Sequence, residues 1–180
     1  MKQVAIVGSV GIPANYGGFE TLTEQLALRL QDRFEITVYC AKSSFREHPE
    51  KIGRIHLRYL PLAANGIQSI PYDMWSILSA VRYADTLLIL GVGGCTLLPL
   101  LRWFGCRKRI VVNIDGIEWR RAKWSRAARA YLRFAEKCAV RYADAVIGDN
   151  QVIVDYVQKS YRRPCELIEY GADTIRMERE

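Results

Sequence analysis

Short, unbroken apolar runs alternate with longer amphipathic stretches along the whole chain. A strand with one face in water alternates apolar and polar residues, whereas a strand covered on both faces is apolar throughout. Strands of the second kind, separated by helices, form parallel sheets. The pattern therefore predicts an α/β fold: a doubly wound, mostly parallel sheet of Rossmann-like type with helices on both faces. The predicted strands cover residues 3–7, 35–39, 54–60, 86–90, 109–114, 145–147 and 165–169, and the predicted helices cover residues 18–31, 72–83, 95–104, 125–142 and 150–159.

The length of the chain limits its domain organisation. A chain of 180 residues, half of them apolar, is typical of one folded domain with a single core. Residues 168–173 read as a strand that leaves the sheet into a turn, and the residues after them are few and charged. We expect one domain over residues 1–170 and the start of a linker or tail over residues 171–180.

One segment has to be tested as a membrane span. Residues 86–104 are apolar except for Arg102, and this is nearly the length that crosses a bilayer. However, the run Gly91-Val-Gly-Gly94 divides the segment, so a buried strand, a tight turn and a helix describe it better. Met1-Lys2 leads directly into the first strand, without the pattern of a signal peptide. We expect a cytoplasmic protein, either free or held on the inner face of the cell membrane.

The cysteines and histidines do not form a metal-binding pattern. Five cysteines lie far apart without a CxxC pair, and the chain has only two histidines. Neither a structural zinc site nor a disulfide framework is expected, and a reducing compartment fits this usage. We expect no metal and no cofactor.

The positive charge is concentrated in one region. The chain carries a net charge of +7, and residues 102–141 hold twelve Lys or Arg against three acids. On the predicted helix over 125–142, four cations form a stripe, and a second stripe of Ala127, Tyr131, Phe134 and Cys138 is expected to face the core. With Trp103, Phe104 and Trp124 nearby, the basic stripe predicts a surface for an anionic membrane; a solvated helix face is the alternative. The four cations are Arg126, Arg129, Arg133 and Lys137.

A glycine-rich loop, residues 8–18, follows the first predicted strand. In a doubly wound sheet this loop and the next helix N-terminus face the ligand, and glycines let the backbone approach it closely. The spacing differs from the GxGxxG dinucleotide fingerprint, and no acid stands at the end of the second strand. The chain also lacks a GxxxxGK[ST] phosphate loop. The loop thus favours a ligand other than NAD, although Gly17 and Gly18 could serve only as a flexible entry to the helix.

Two motifs carry a family resemblance. Gly11-Ile-Pro-Ala-Asn-Tyr-Gly-Gly-Phe-Glu20, and Asn113-Ile-Asp-Gly-Ile-Glu-Trp119 followed by Lys123-Trp124, resemble family 4 retaining glycosyltransferases. The closest similarity is to the bacterial rhamnosyltransferase-like group, whose N-terminal region was catalogued as domain of unknown function 1972. The resemblance extends over nearly the whole chain. It implies a GT-B fold, in which the N-terminal Rossmann-like domain binds acceptor and a C-terminal domain, absent from this chain, binds the nucleotide diphosphate sugar.

The resemblance also implies roles for residues of the loop. Gly17 and Gly18 match the family's loop that approaches the donor diphosphate, where their amides would stabilise the departing phosphate. Asn15, Tyr16 and Glu20 are candidates for acceptor binding. Turn chemistry explains Asn15 equally well, and Glu20 could instead stabilise the helix N-terminus.

The second motif supplies the remaining candidates. Asp115 follows a predicted strand at its carboxyl end, where a carboxylate could deprotonate or orient the acceptor hydroxyl, or alternatively cap the next helix. Many family 4 members have a histidine near this place, so the assignment of Asp115 as the catalytic residue departs from the common pattern. Glu118 and Trp119 are further candidates for acceptor binding, Trp119 through an aromatic face that is otherwise typical of a core.

These observations lead to two hypotheses from different classes. In the first, the chain is the acceptor domain of a retaining hexosyltransferase, inactive alone, which moves a sugar to a glycan or lipid-linked acceptor in cell-surface polysaccharide synthesis. Rhamnose, donated by dTDP-rhamnose, follows from the resemblance alone. In the second, it is a basic nucleic-acid-binding or scaffolding Rossmann-type module without catalysis. That module would leave the glycine-rich loop unexplained, and no nucleic-acid-binding motif is visible, so we expect no nucleic acid partner.

Overall fold

The computed structural model describes residues 1–15, 17–114, 116–120 and 124–169. Eight strands form one sheet in the order β3-β4-β2-β1-β5-β6-β7-β8. The strands are β1 Lys2–Val7, β2 Phe34–Ala41, β3 Lys51–Ile52, β4 Ile55–Leu60, β5 Thr86–Leu90, β6 Arg109–Ile114, β7 Ala145–Gly148 and β8 Glu166–Leu167. The α-helices are α1 Gly18–Leu30, α2 Ser69–Ala80, α3 Leu98–Trp103, α4 Arg126–Tyr142 and α5 Gln151–Tyr161.

The predicted fold class is confirmed. Every neighbouring pair of strands is parallel except β3 and β4, which form an antiparallel hairpin at one edge. Strand β3 was not predicted, because its two residues are too few for a periodic pattern. Gly53, in the turn between β3 and β4, adopts a φ of 59°, which suits a tight hairpin.

Two apolar clusters cover the two faces of the sheet. Ile6, Ile36 and Val38 point to one face and pack against Phe19, Leu22 and Ala27 of α1. The alternate residues of the same strands point to the other face and pack with buried residues of α2, α3, α4 and α5. The unbroken apolar runs thus reflect strands that are covered on both sides. The residues of the second face include Ala5, Val7, Tyr39, Leu87, Ile89, Ile110 and Val112.

The segment tested as a membrane span is divided as the sequence predicts. Thr86–Leu90 is the central strand β5, the glycine turn follows, and a short 3-10 helix over Cys95–Leu97 leads into α3. None of the helices in the described ranges is long and apolar enough to cross a membrane.

Arg102 belongs to the interior framework rather than to the basic surface. Its guanidinium donates to the main-chain carbonyls of Tyr142 at 3.1 Å, Cys106 at 2.9 Å and Lys108 at 3.0 Å. It also forms an ion pair with Asp144, with 2.6 Å between Nη2 and Oδ2. These contacts connect the end of α3 to the end of α4 and to the start of β6.

The expected core face of α4 is correct for Cys138, which is buried, and for Tyr131, which packs against the core, but wrong for Ala127 and Phe134. Phe134 is 57% exposed and Ala127 is exposed, whereas Leu132, Ala135 and Glu136 are buried. Glu136 is an acid, so periodicity gave no reason to place it inside. Two tyrosine hydroxyls of α5 donate to its Oε1 atom, which offsets part of the cost of burial, whereas Oε2 has no hydrogen-bond partner among the described residues. The helix is therefore rotated relative to the expected orientation.

Candidate functional site

The carboxyl ends of β1, β5 and β6 meet at the centre of the sheet. From β1 the chain runs outward to β2 on one side and later returns to β5 on the other, so this edge is a topological switch point. Ligands of open α/β sheets bind at such points. A cavity of about 240 Å3 lies here, and we call it the crevice. Its lining includes Gly8, Asp73, Gly91, Gly93, Glu118 and Trp124.

Two glycines at the strand ends shape the floor of the crevice. Gly8, directly after β1, has a φ of 91°, and Gly91, directly after β5, has a φ of 85°. Side chains other than hydrogen rarely tolerate these conformations. A Cβ on Gly8 would lie 2.1 Å from the carbonyl oxygen of Leu90, so the two chain segments touch through their backbones. Close packing of this kind leaves the floor lined by main chain.

The glycine-rich loop is tied to its surroundings by α1 and β2. The carbonyl of Val10 accepts a hydrogen bond from Ala41 N at 2.8 Å. The carboxylate of Glu24 accepts from Ala14 N, and that of Glu20 accepts from Asn15 N, both at 3.2 Å. Glu20 therefore orders the loop, a structural role that leaves its predicted acceptor contact untested.

The loop ends in two exposed glycines at the start of α1. Gly17 precedes the helix with a φ of 140°, a conformation that favours glycine, and α1 begins at Gly18. A Cβ on Gly18 would meet no atom within 4 Å. Gly17 is thus required by the backbone, whereas nothing in the described fold requires glycine at position 18. The side chain of Asn15 is exposed, and Tyr16 lies outside the described residues.

Asp73 is the residue of this site that the sequence analysis missed. It is only 8% exposed, it lines the crevice, and no hydrogen bond joins its carboxyl group to another described residue. Burial raises the pKa of this carboxyl to about 8. The sequence does contain a sign of this buried acid, because Asp73 stands on the apolar stripe of α2 between Ile70 and Ile77.

Asp73 faces the turn that follows β5. A Cβ on Gly93 would lie 2.6 Å from Asp73 Oδ2, and one on Gly94 would lie 2.8 Å from Asp73 Cβ, so α2 packs directly on this turn. The hydroxyl of Tyr131 in α4 donates to the carbonyl of Gly93 at 2.8 Å, so the turn contacts both helices. The raised pKa leaves the carboxyl of Asp73 able to donate a proton near neutral pH.

The second motif is divided between two places. Glu118 lines the crevice, and Trp124 Nε1 donates to its carboxylate at 3.4 Å. Trp124 therefore belongs to the crevice rather than to the basic surface. The adjacent Trp119 is not among the residues that line the crevice; it lines a separate groove between α4 and α5. Asp115, the predicted catalytic residue, lies outside the described residues.

The predicted basic stripe lies on the exposed side of α4. Arg126, Arg129, Arg133 and Lys137 are all exposed. The hydroxyl of Ser125 caps the helix by accepting from Ala128 N at 3.3 Å. Trp103 and Phe104 are 86% and 82% exposed at the end of α3.

The family model described as "Domain of unknown function (DUF1972)" matches residues 1–173. Because this match covers nearly the whole chain, the chain belongs to that family. No curated protein sequence is significantly similar to it.

Two solved structures with a similar fold come from one enzyme. Sucrose-phosphate synthase (tll1590) from Thermosynechococcus elongatus superposes with a TM-score of 0.68 at 15% sequence identity, over 96% of this chain and 49% of that chain. A second structure of that enzyme superposes with a TM-score of 0.62 at 14% sequence identity, over 96% of this chain and 91% of that chain. This chain spans about half the length of the first structure. The two proteins therefore share a Rossmann-like α/β fold over the superposed residues.

Proposed function

We propose that this member of the DUF1972 family is the acceptor-side domain of a GT-B glycosyltransferase. Its crevice would bind a glycan or lipid-linked acceptor, while a donor-binding domain would present the nucleotide diphosphate sugar from the opposite side. Rhamnose, donated as dTDP-rhamnose with retention of configuration, is the sugar that the sequence motifs favour. The observation that carries the proposal is a crevice with a main-chain floor at the switch point of a fold shared with sucrose-phosphate synthase, a GT-B glycosyltransferase.

The geometry supplies distinct elements for this chemistry. Gly17 and Gly18 are exposed at the N-terminus of α1, where unpaired amides and the helix dipole favour negative charge. They would stabilise the diphosphate as it leaves. Glu118 would accept hydrogen bonds from acceptor hydroxyls, and Asp73 would supply a hydrogen-bond donor from the wall of the crevice. Asp115 remains our proposal for the group that orients or deprotonates the acceptor.

Substitution of Gly18 by valine tests the role of the loop without disturbing the fold. Because a Cβ at this position meets nothing within 4 Å, Gly18→Val should change the free energy of unfolding by less than about 0.5 kcal/mol. The isopropyl group would occupy the space in front of the helix N-terminus. We expect sugar transfer to fall by roughly 100-fold or more, as when one oxyanion donor is lost.

Transfer is measured with this chain joined to, or mixed with, a donor-binding GT-B domain, using labelled nucleotide diphosphate sugars. Leu28→Val, on the exposed side of the same helix, is the control that should retain activity. Transfer by Gly18→Val at the rate of the parent would exclude the loop from the donor side of the reaction.

The basic stripe and the exposed aromatic residues support docking to an anionic membrane surface, where a lipid-linked acceptor resides. Each Lys or Arg near such a surface contributes roughly 1 kcal/mol, and exposed Trp and Phe can enter the interface. The double substitution Trp103→Ser and Phe104→Ser should weaken binding to anionic vesicles by about tenfold or more. Trp75→Ser, which removes a tryptophan that is 49% exposed on α2, should not. Equal vesicle binding by the parent and the double variant would contradict the membrane docking.

A further inference from the structure

The groove between α4 and α5 is a second concave site, on a helical flank of the domain. Its volume is about 700 Å3, and its walls combine aromatic rings with cations. The lining residues that matter are Trp119, Arg120, Arg133, Lys137, Tyr156 and Tyr161.

Aromatic rings hold two arginines of this groove in place. The guanidinium carbon of Arg120 lies 5.2 Å from the ring centroid of Trp119 and 5.8 Å from that of Tyr156. The guanidinium carbon of Arg133 lies 5.2 Å from the same Trp119 ring. Stacking on a ring restricts a guanidinium while leaving its N–H edge available to an anion.

Among the residues that the structure describes, no acid neutralises the cations of the groove. Within the described ranges, no carboxylate forms an ion pair with Arg120, Arg133 or Lys137. Glu136 is fully buried, and its Oε1 atom accepts hydrogen bonds from the hydroxyl groups of Tyr156 and Tyr161. Those hydrogen bonds fix the two tyrosine rings in the wall of the groove.

We propose that this groove is a binding site for a phosphorylated small molecule, whose phosphate is held by Arg120, Arg133 and Lys137. Guanidinium groups match phosphate oxygens with paired hydrogen bonds, and an ammonium adds a mobile donor. The volume exceeds that of a phosphate alone, so the remainder of the ligand lies along the aromatic walls. A sugar phosphate has both the charge and the amphipathic rings that suit such walls.

The site is connected to the crevice by one turn of chain. Glu118 lines the crevice, whereas Trp119 and Arg120, the next residues of the same 3-10 helix, line the groove. A ligand that moves Trp119 therefore acts on the element that positions Glu118. The proposal itself requires only the groove, and it stands whether or not the chain serves a glycosyltransferase.

The test is calorimetric titration of this chain with inorganic pyrophosphate and with glucose 6-phosphate at physiological salt. We expect saturable binding of one ligand per chain, weakened by roughly tenfold or more in the double variant Arg120→Ala and Arg133→Ala. The matched control is Arg126→Ala with Arg141→Ala, which removes the same charge from exposed positions of α4 that do not line the groove. The control should bind within about twofold of the parent, since long-range charge effects are screened at this salt.

Circular dichroism of both double variants should match that of the parent, which checks that the substitutions leave the fold intact. Equal weakening by the two double variants would show a diffuse basic surface and overturn the proposal. So would the absence of saturable binding to either phosphate probe. A parallel titration with a single-stranded oligonucleotide tests the nucleic-acid alternative: tighter binding to the oligonucleotide, with no preference for the groove arginines, also rejects a small-molecule site.

Discussion

Gly8→Ala is expected to destabilise the domain by about 4 kcal/mol, a large fraction of the stability of a typical domain. Two costs combine. The φ of 91° at Gly8 is unfavourable for alanine by about 1–3 kcal/mol. The added methyl group would also lie 2.1 Å from the carbonyl oxygen of Leu90 and 3.0 Å from its carbon. These are backbone atoms of the central strand, so relief requires β1 and β5 to separate, and overpacking of a core costs about 1–3 kcal/mol.

The measurement is chemical denaturation followed by circular dichroism. Gly18→Ala is the matched control, because a Cβ there meets no atom within 4 Å and the residue begins a helix. The control should lie within about 0.5 kcal/mol of the parent. A Gly8→Ala variant as stable as this control would mean that β1 and β5 do not approach each other at the crevice as the structure has them.

Asp73→Asn is expected to abolish a pH dependence of stability that the parent shows between about pH 4 and pH 8. Burial raises the pKa of Asp73 from 3.8 to about 8 in the folded state. Across this range the folded protein keeps the proton and the unfolded chain loses it. The contribution of Asp73 to stability is therefore fully present below the unfolded pKa and is lost as the pH rises towards 8, by about 1.4 kcal/mol per pH unit.

The expected loss between pH 4 and pH 7 is on the order of 4 kcal/mol in the parent. Unfolding free energies of the parent, Asp73→Asn and Asp32→Asn, measured over this pH series, test the prediction. Asp32 is the control because its side chain is 79% exposed, and its variant should keep the slope of the parent. Parallel curves for the parent and Asp73→Asn would show that the carboxyl of Asp73 is hydrated in the folded protein.

The parallel sheet could be predicted because it depends on burial of whole strands, which an unbroken apolar run records directly. β5 and β6 begin and end at the predicted residues, since each is flanked by polar residues or glycine. The ends of the helices differ more from the prediction. α2 begins at Ser69, three residues before the predicted start, because a 3-10 helix over Gly66–Gln68 leads into it. The hairpin strand β3 was too short for any periodic signal.

The position of the candidate site in the sheet could be predicted from the sequence, but the contacts among its side chains could not. The glycine-rich loop after β1 indicated the edge of the sheet at which the crevice lies, because the position follows from topology. The pairing of Glu118 with Trp124, and the orientation of Trp119 towards α5, depend on how a short 3-10 helix turns after β6. The burial of Asp73 depends on the close approach of α2 to Gly93, a contact between segments that the sequence does not link.

The most direct test of an acceptor-binding crevice is amide chemical-shift mapping of the 15N-labelled chain during titration with a rhamnose-containing oligosaccharide. We predict saturable shifts at Gly8, Gly91, Gly93 and Glu118, the residues that line the crevice. Gly66 lines the crevice, and a Cβ added there would meet no atom within 4 Å, although its φ of 66° is unfavourable for other residues. Gly66→Val should therefore place a side chain in the crevice and reduce the affinity for the oligosaccharide. Shifts confined to α4 and α5, or no saturable shifts at these four amides with any oligosaccharide tested, would contradict the assignment of the crevice as an acceptor site.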